Sequence, residues 1–507
     1  MSNQFAVMYV QCVVKSATLV GVEALPVEVE VVISSGLPGF SIVGMPDAAI
    51  QEARERVRAA IRACGFSMPA EKVVVNLAPG ALRKSGSGFD LPIALGILVA
   101  TSQVPHQRIE HHVLVGELSL DGKVRPVRGL LAHELCAQKL GLGIICADPP
   151  EGLIAIEGVE KLTCTTLSQF REGSFVSSTL FSVLPEGSLP DFADIAGHDS
   201  AKRALQIAAA GRHGVLMMGP PGSGKTMLAS RLPSIMPPLS EAESLESALV
   251  YSVVGEDVAP LLARVRPFRA PHHSATLAGL VGGGRPLVPG EVSLAHNGVL
   301  FLDELAEFKP TTLQGIRQPM EAGSVSLIRA DSKVTFPAAF MLVAATNPCP
   351  CGYYGDREVA CTCSFPQVRS YQNRIGGPLL DRIDIHIDVW RTDPNQILHP
   401  RAGKSSAELL EGVMRAQEYA SFRRAREGEV ESLDTTSILL RSCGLDEACQ
   451  GFLENMARIS HMSGRGIMRV LTVARTIADI EEAPCVLKSH LAEAIGLRIR
   501  EGVGGNA

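Results

Sequence analysis

Gly219-Pro220-Pro221-Gly222-Ser223-Gly224-Lys225-Thr226 fits the spacing G-x-x-x-x-G-K-[ST]. Those residue types suit phosphate binding. Glycines let backbone N–H groups turn towards phosphate oxygens, Lys225 neutralises β/γ charge, and the Thr226 hydroxyl holds Mg²⁺. An apolar strand at 214–218 comes before the loop and a helix at 227–232 after it, which is the context such a loop needs. Val299-Leu-Phe-Leu-Asp303-Glu304 supplies the next parts. A strand ending in two acids puts Asp303 on Mg²⁺ through water and leaves Glu304 as base for an attacking water. A third apolar strand, 340–346, ends at Asn347. Beside Asp303, Asn347 can orient that water; a turn Asn before Pro348 is the alternative. ATP and Mg²⁺ are the expected cofactors.

Arginines complete the set. In Asn373-Arg374-Ile-Gly-Gly-Pro-Leu-Leu-Asp381-Arg382, an arginine finger must leave its own subunit and reach a neighbour's γ-phosphate. Arg382 fits that role better than Arg374. Later, Ser463-Gly-Arg465-Gly-Ile-Met-Arg469 opens a helix whose apolar residues Ile467, Val470, Leu471, Ala474, Ile477 and Ala478 follow helical spacing. Arg465 and Arg469 lie off that face, and Arg465 is the expected nucleotide contact from the lid.

Four cysteines, Cys349, Cys351, Cys361 and Cys363, stand in two Cys-x-Cys pairs nine residues apart. Four thiolates so placed can wrap a tetrahedral Zn²⁺. Cys-x-Cys is tighter than the common Cys-x₂-Cys, so a loop of free thiols is the competing reading. The other eight of the twelve cysteines are scattered singly, as buried thiols of a reducing cytoplasm usually are.

These groups need a scaffold, and 507 residues with 46% hydrophobic content allow two to four packed domains. The net charge of −6 gives no global sign of nucleic-acid binding, so any such contact uses local basic patches. No apolar run approaches the roughly 18 residues of a membrane span, and residues 1–10 lack the pattern of an export signal. Residues 1–172 read as α+β: a strand at 27–34, a helix at 47–64 with Arg54, Arg56, Arg58 and Arg62 on its polar positions, a strand at 72–76, an apolar helix at 90–101, a hairpin of 113–118 with 123–127, and a strand at 143–146. A linker spans 173–191. An α/β unit with a parallel sheet covers 192–395, and 396–507 is helical.

The order of Gly219–Thr226, Arg266-Pro-Phe-Arg269-Ala-Pro-His272-His273, Gly290 through Glu304, and Leu380-Asp-Arg-Ile-Asp384 resembles the magnesium-chelatase-like AAA+ proteins of the ComM/YifB family. The resemblance spans essentially the whole chain. It implies a Lon-protease-like N-terminal domain of the ribosomal S5 domain 2-like fold, a P-loop AAA+ core and a helical lid like the magnesium-chelatase C-terminal domain. It also implies a homo-hexameric ATPase that drives branch migration on branched, single- and double-stranded DNA during natural transformation. A hairpin of 324–329 with 333–336 would carry Arg329 and Lys333 near its tip. An insert at 264–285 would carry Arg266, Arg269, His272, His273 and Arg285. Both are candidate DNA contacts, through phosphates rather than base edges.

A Lon-like first domain raises the possibility of proteolysis by a Ser–Lys dyad. By that resemblance, Gly88 falls where the serine should be and Leu131 where the lysine should be. A serine without a base is a poor nucleophile, so a non-proteolytic scaffold is expected. A chelatase-type remodeller of a protein partner is the other rival. Chelatase motor subunits are expected to lack such an N-terminal domain, which counts against it.

Overall fold

The computed structural model describes residues 10–148, 156–177, 189–329, 332–399, 403–427 and 435–498. Residues 178–188 of the expected linker, and residues 1–9, on which the reading of the chain's start rests, lie outside them.

In the N-terminal region, β-branched residues at every second position build a four-stranded sheet. Its order is Val10–Val20, Glu23–Ser34, Lys72–Ala78, Gly39–Val43. Val27, Val29, Val31 and Ile33 point inward while the residues between them are partly exposed. Asp47 starts the helix Ala48–Ala63 by accepting the Ile50 N–H at 2.9 Å. The helix Asp90–Ala100 has no polar face and is buried almost throughout. Gly96 lets it lie against the sheet, since a Cβ there would stand 2.5 Å from Val31 Cγ2.

Two expectations change here. The strand expected over 113–118 splits. His112–Leu114 runs parallel to Gly143–Cys146 in a second sheet, and only Glu117–Leu118 pairs with Val124–Arg125. The break falls at Gly116, whose N–H bonds the Gly88 carbonyl at 3.0 Å. The strand Val10–Val20, paired along its whole length with Glu23–Ser34, adds to the expected elements. Arg56 also departs from a solvated face. It turns inward and bonds Asp90 at 2.7 and 3.0 Å.

The central sheet has five parallel strands in the order Phe268–Arg269, Val299–Leu302, Met341–Thr346, Val215–Met218, Ile385–Asp388. Three of them are buried at every residue. Such runs need cover on both faces. One face meets the helix Asp199–Gly211 and the C-terminal helices Ser406–Glu427 and Gly464–Ile480 in a shared core. The other face holds Leu216, Leu300, Leu302, Leu342 and Ala344 against Leu313, Ile316 and Tyr371. The N-terminal region docks on this body through Leu131, Leu239, Ala248, Val250 and Tyr251. The Gly129 N–H reaches the Ser252 carbonyl at 2.8 Å and the Leu131 N–H its hydroxyl at 3.3 Å.

Candidate nucleotide site

Three adjacent strands of the parallel sheet end at one place. Val215–Met218 leads into the glycine loop, Val299–Leu302 into Asp303, and Met341–Thr346 into Asn347. Gly222 and Gly224 have φ of +75° and +87°, which glycine adopts without strain. A Cβ on Gly219 would lie 1.9 Å from the Val389 carbonyl oxygen, so no other residue fits there.

Lys225 opens the helix Lys225–Ser230, and its amine contacts the Gly219 and Pro220 carbonyls at 2.8 and 2.9 Å. It also lies 3.4 Å from Asn347 Oδ1. Burial lowers its pKa and the Asp303 charge opposes that shift. The Thr226 hydroxyl donates to Asp303 Oδ2 at 2.8 Å. A hydroxyl and a carboxylate converging on one point form an oxygen set that suits Mg²⁺. The Lys225 amine at the glycine loop suits a phosphate chain.

Glu304 sits in the left-handed region, with φ of +51°, and its N–H is held by Asp303 Oδ1 at 2.9 Å. Its carboxylate is half-exposed. It meets His273, with Nδ1 at 3.1 Å from Oε2. The sequence showed His273 only as part of a basic segment. Its pairing with the candidate base could not be read, because the two are 31 residues apart.

The arginines divide. Arg266 is buried, pairs with Glu243 at 3.1 Å and donates to the Pro237 and Asn297 carbonyls. Arg269 is clamped between Glu256 at 2.8 Å and Glu291 at 2.7 Å, which raises its pKa strongly, the hydrogen bond to Glu291 contributing most. Neither offers a free guanidinium to a phosphate, contrary to expectation. Arg285 is exposed, on the turn of the ribbon Gly282–Gly283 with Val288–Pro289. Arg469 pairs with Asp384. Burial pushes the Asp384 carboxyl up, but His213 and Arg469 more than offset it and hold it low. Arg469 is thus a strut between the last helices and the sheet. Arg465 is exposed. Arg382 lies 2.7 Å from Glu321, and Arg374 lies 3.5 Å from Glu307. The Glu321 carboxyl is lowered first by the Arg382 hydrogen bond, with Arg465 and Arg317 adding charge. Arg382 thus bonds this carboxylate directly, while Arg465 and Arg317 act on it through charge alone.

The expected hairpin forms from Ser324–Arg329 and Ser332–Pro337. Val325 and Phe336 are buried at its base, whereas Ile328, Arg329 and Lys333 are exposed towards its tip. A Cβ on Gly282 would lie 3.1 Å from Leu327 Cδ1, so the hairpin and the ribbon bearing Arg285 stand side by side. The four clustered cysteine sulfurs all lie within 4.8 Å of one another.

A family model described as magnesium chelatase, subunit ChlI, matches residues 191–397. Others, described as subunit ChlI of Mg-chelatase and as the ChlI C-terminal region, match 29–148 and 403–498. The chain is 41% identical over 497 residues to protein YifB of Salmonella typhimurium, covering 96% of each chain. It is 40% identical over 498 residues to competence protein ComM of Haemophilus influenzae, covering 96% of this chain and 97% of that one. The chain belongs to the ComM/YifB family. In this magnesium-chelatase-like AAA+ group, mixed α/β sheets combine with helices, as seen here. A magnesium-chelatase 67 kDa subunit of Chlorobaculum parvum is 33% identical over 159 residues, covering 31% of this chain and 23% of that one. The match at 29–148 carries a chelatase-subunit description.

Proposed function

We propose that this chain is a cytoplasmic ATPase that works as a hexameric ring and drives branch migration of DNA junctions, in natural transformation. The meeting of Lys225, Thr226, Asp303 and Asn347 at three adjacent strand ends carries the ATPase part. Bound Mg²⁺ would neutralise phosphate charge, held by Thr226 and Asp303. Lys225 binds the β/γ-phosphates, Asn347 orients a water, and Glu304 takes its proton. The DNA part rests on the adjacent hairpin and ribbon, and on the competence name of the Haemophilus relative. No helix among the described residues is long and apolar enough to cross a membrane.

In the ring, Arg382 must leave Glu321 and the Pro378 carbonyl, which hold its largely buried side chain, to act on a neighbouring subunit's nucleotide. Arg465, exposed on the last helices, contacts the nucleotide from the lid. The division into 1–172, a linker at 173–191, 192–395 and 396–507 goes with this reading. The N-terminal region acts as a Lon-like, non-proteolytic scaffold. Leu131 is buried in its contact with the ATPase body, and Ser87 gives its hydroxyl hydrogen to Glu117. The last helices act as the lid.

His273 restrains Glu304 until nucleotide and DNA are both in place. An exposed pair of this kind is worth up to about 1 kcal/mol, or about fivefold. His273→Ala should raise ATP turnover without DNA by up to about that factor. A fall in turnover would mean instead that His273 positions the base. In Arg329→Ala/Lys333→Ala, the slope of log affinity for DNA against log salt should drop by about 1 per lost contact, equally for all sequences. An unchanged slope removes the hairpin from the DNA path.

The test of the whole reading is ATP turnover with and without a four-way junction. Stimulation supports it; a junction that neither binds nor changes turnover defeats it. The second reading, a chelatase-like remodeller of a protein partner, is favoured by the chelatase-subunit match at 29–148. Turnover stimulated by a protein and untouched by DNA would select it.

A further inference from the structure

The cysteine cluster lies in the loop after Asn347 and before the helix Phe365–Asn373. Sγ–Sγ distances are 3.4 Å for Cys349–Cys351, 3.7 Å for Cys349–Cys361 and 3.6 Å for Cys351–Cys361. A disulfide needs about 2.05 Å, so no two of these sulfurs are bonded. A tetrahedral zinc with bonds of about 2.3 Å sets its sulfurs about 3.8 Å apart. The observed spacing lies close to that figure. Backbone donors also point at the sulfurs: the Tyr354 N–H at Cys349 Sγ, 3.3 Å, and the Cys363 N–H at Cys361 Sγ, 3.4 Å. Such donors stabilise sulfur in its metal-bound thiolate form.

The knot touches the nucleotide site on two sides. Gly352, next to Cys351, has φ of +87°, and a Cβ there would stand 2.6 Å from Pro221 Cδ. The loop thus presses on the glycine loop with no room for a side chain. On the other side, Cys349 is buried two residues after Asn347, and the intervening Pro348 carbonyl is held by Gln372 at 2.9 Å. The Arg391 guanidinium lies 5.4 Å from the centre of the Tyr353 ring and fixes the loop's outer edge.

We propose that Cys349, Cys351, Cys361 and Cys363 hold one structural zinc ion, and that this knot sets the positions of Pro221 and Asn347. Zinc ties the two Cys-x-Cys arms together across residues 352–360, a stretch with no helix or strand of its own. Such a closure adds most to a stretch without regular structure. The ion performs no chemistry on the nucleotide. Its part in positioning rests on the nucleotide site proposed above; its presence does not.

Full-length protein purified without added metal should contain one zinc per chain by elemental mass spectrometry. Cys361→Ser/Cys363→Ser should lose it, while Cys485→Ser, outside the cluster, keeps it. A fluorescent ATP analogue should bind the double variant about tenfold more weakly, the change that about 1.4 kcal/mol of lost contact produces. Should the double variant fail to fold, titration of the wild-type chain with a mercurial should release the zinc as the cluster thiols are blocked. Zinc well below one per chain, iron in its place, zinc retained in the double variant, or no release on thiol blocking overturns the site. Zinc loss with unchanged analogue affinity overturns the positioning role. Zinc in a chain that ignores branched DNA defeats only the function proposed above.

Discussion

Glu304→Gln should bind ATP as tightly as the wild-type chain and hydrolyse it about 10²–10⁴ times more slowly, the range that a positioned general base contributes. The substitution keeps the side chain's shape and removes only its basicity. Binding should survive because the groups that face phosphate and metal are Lys225, Thr226 and Asp303, and the Glu304 carboxylate bonds none of them. The residue's only polar link to this set is its own N–H on Asp303 Oδ1, which glutamine retains. Its carboxylate points instead to His273 at 3.1 Å. The check is paired: analogue affinity by fluorescence and phosphate release over time. Equal loss of both would place Glu304 in binding rather than in proton transfer.

Arg56→Ala should destabilise the N-terminal region by about 3–5 kcal/mol, the cost of leaving a buried charge without its partner. The Asp90 side chain is 1% exposed and that of Arg56 is 22% exposed, so water cannot easily replace the lost partner. Asp90 would keep one donor, the Leu118 N–H at 3.1 Å. Burial already pushes the Asp90 carboxyl above its ordinary pKa despite Arg56. An acid whose folded pKa exceeds its unfolded value holds more protons when folded, so its contribution to stability grows as pH falls. The damage in Arg56→Ala should therefore shrink on acidification through the shifted pKa and grow above it. Adding Asp90→Asn should recover much of the loss at neutral pH. Urea unfolding at two pH values measures both effects. A loss below about 1 kcal/mol would mean that the pair behaves as an exposed one.

The expected site was legible to the degree that it was local. The glycine loop, the acids after Val299–Leu302 and the strand before Asn347 all declare themselves by a motif or by an apolar run of the right length. Val215–Met218 and Met341–Thr346 were placed within a residue because fully buried parallel strands carry no polar interruption. The hairpin was found for a similar reason, its two arms being close in sequence. What stayed hidden was the partner of each charge. Arg266, Arg269 and Arg56 look like surface residues in a linear pattern. Each finds a carboxylate between 13 and 34 residues away, a pairing that only the fold creates. His273 was hidden in the same way. The strand Val10–Val20 was missed, and Gly116 divided a segment that alternation alone joined, because its N–H is needed at Gly88 rather than in a ladder.

The cysteine loop shows the same limit from the other side. Two Cys-x-Cys pairs between Asn347 and Arg382 suggest a metal that shapes the loop between the water sensor and the subunit interface, so that its loss would damage hydrolysis or ring assembly more than ATP binding. The close approach of Gly352 to Pro221 places the knot against the nucleotide loop itself. Loss of zinc is then expected to weaken nucleotide binding as well as hydrolysis.

Branch migration by the wild-type chain and Glu304→Gln, measured side by side on a four-way DNA junction with ATP and Mg²⁺, tests the central claim most directly. The wild-type protein should convert the junction to its resolved duplexes in an ATP-dependent reaction. Glu304→Gln should bind the same junction and leave it unresolved. A wild-type chain that hydrolyses ATP freely but neither binds nor moves the junction would contradict the account.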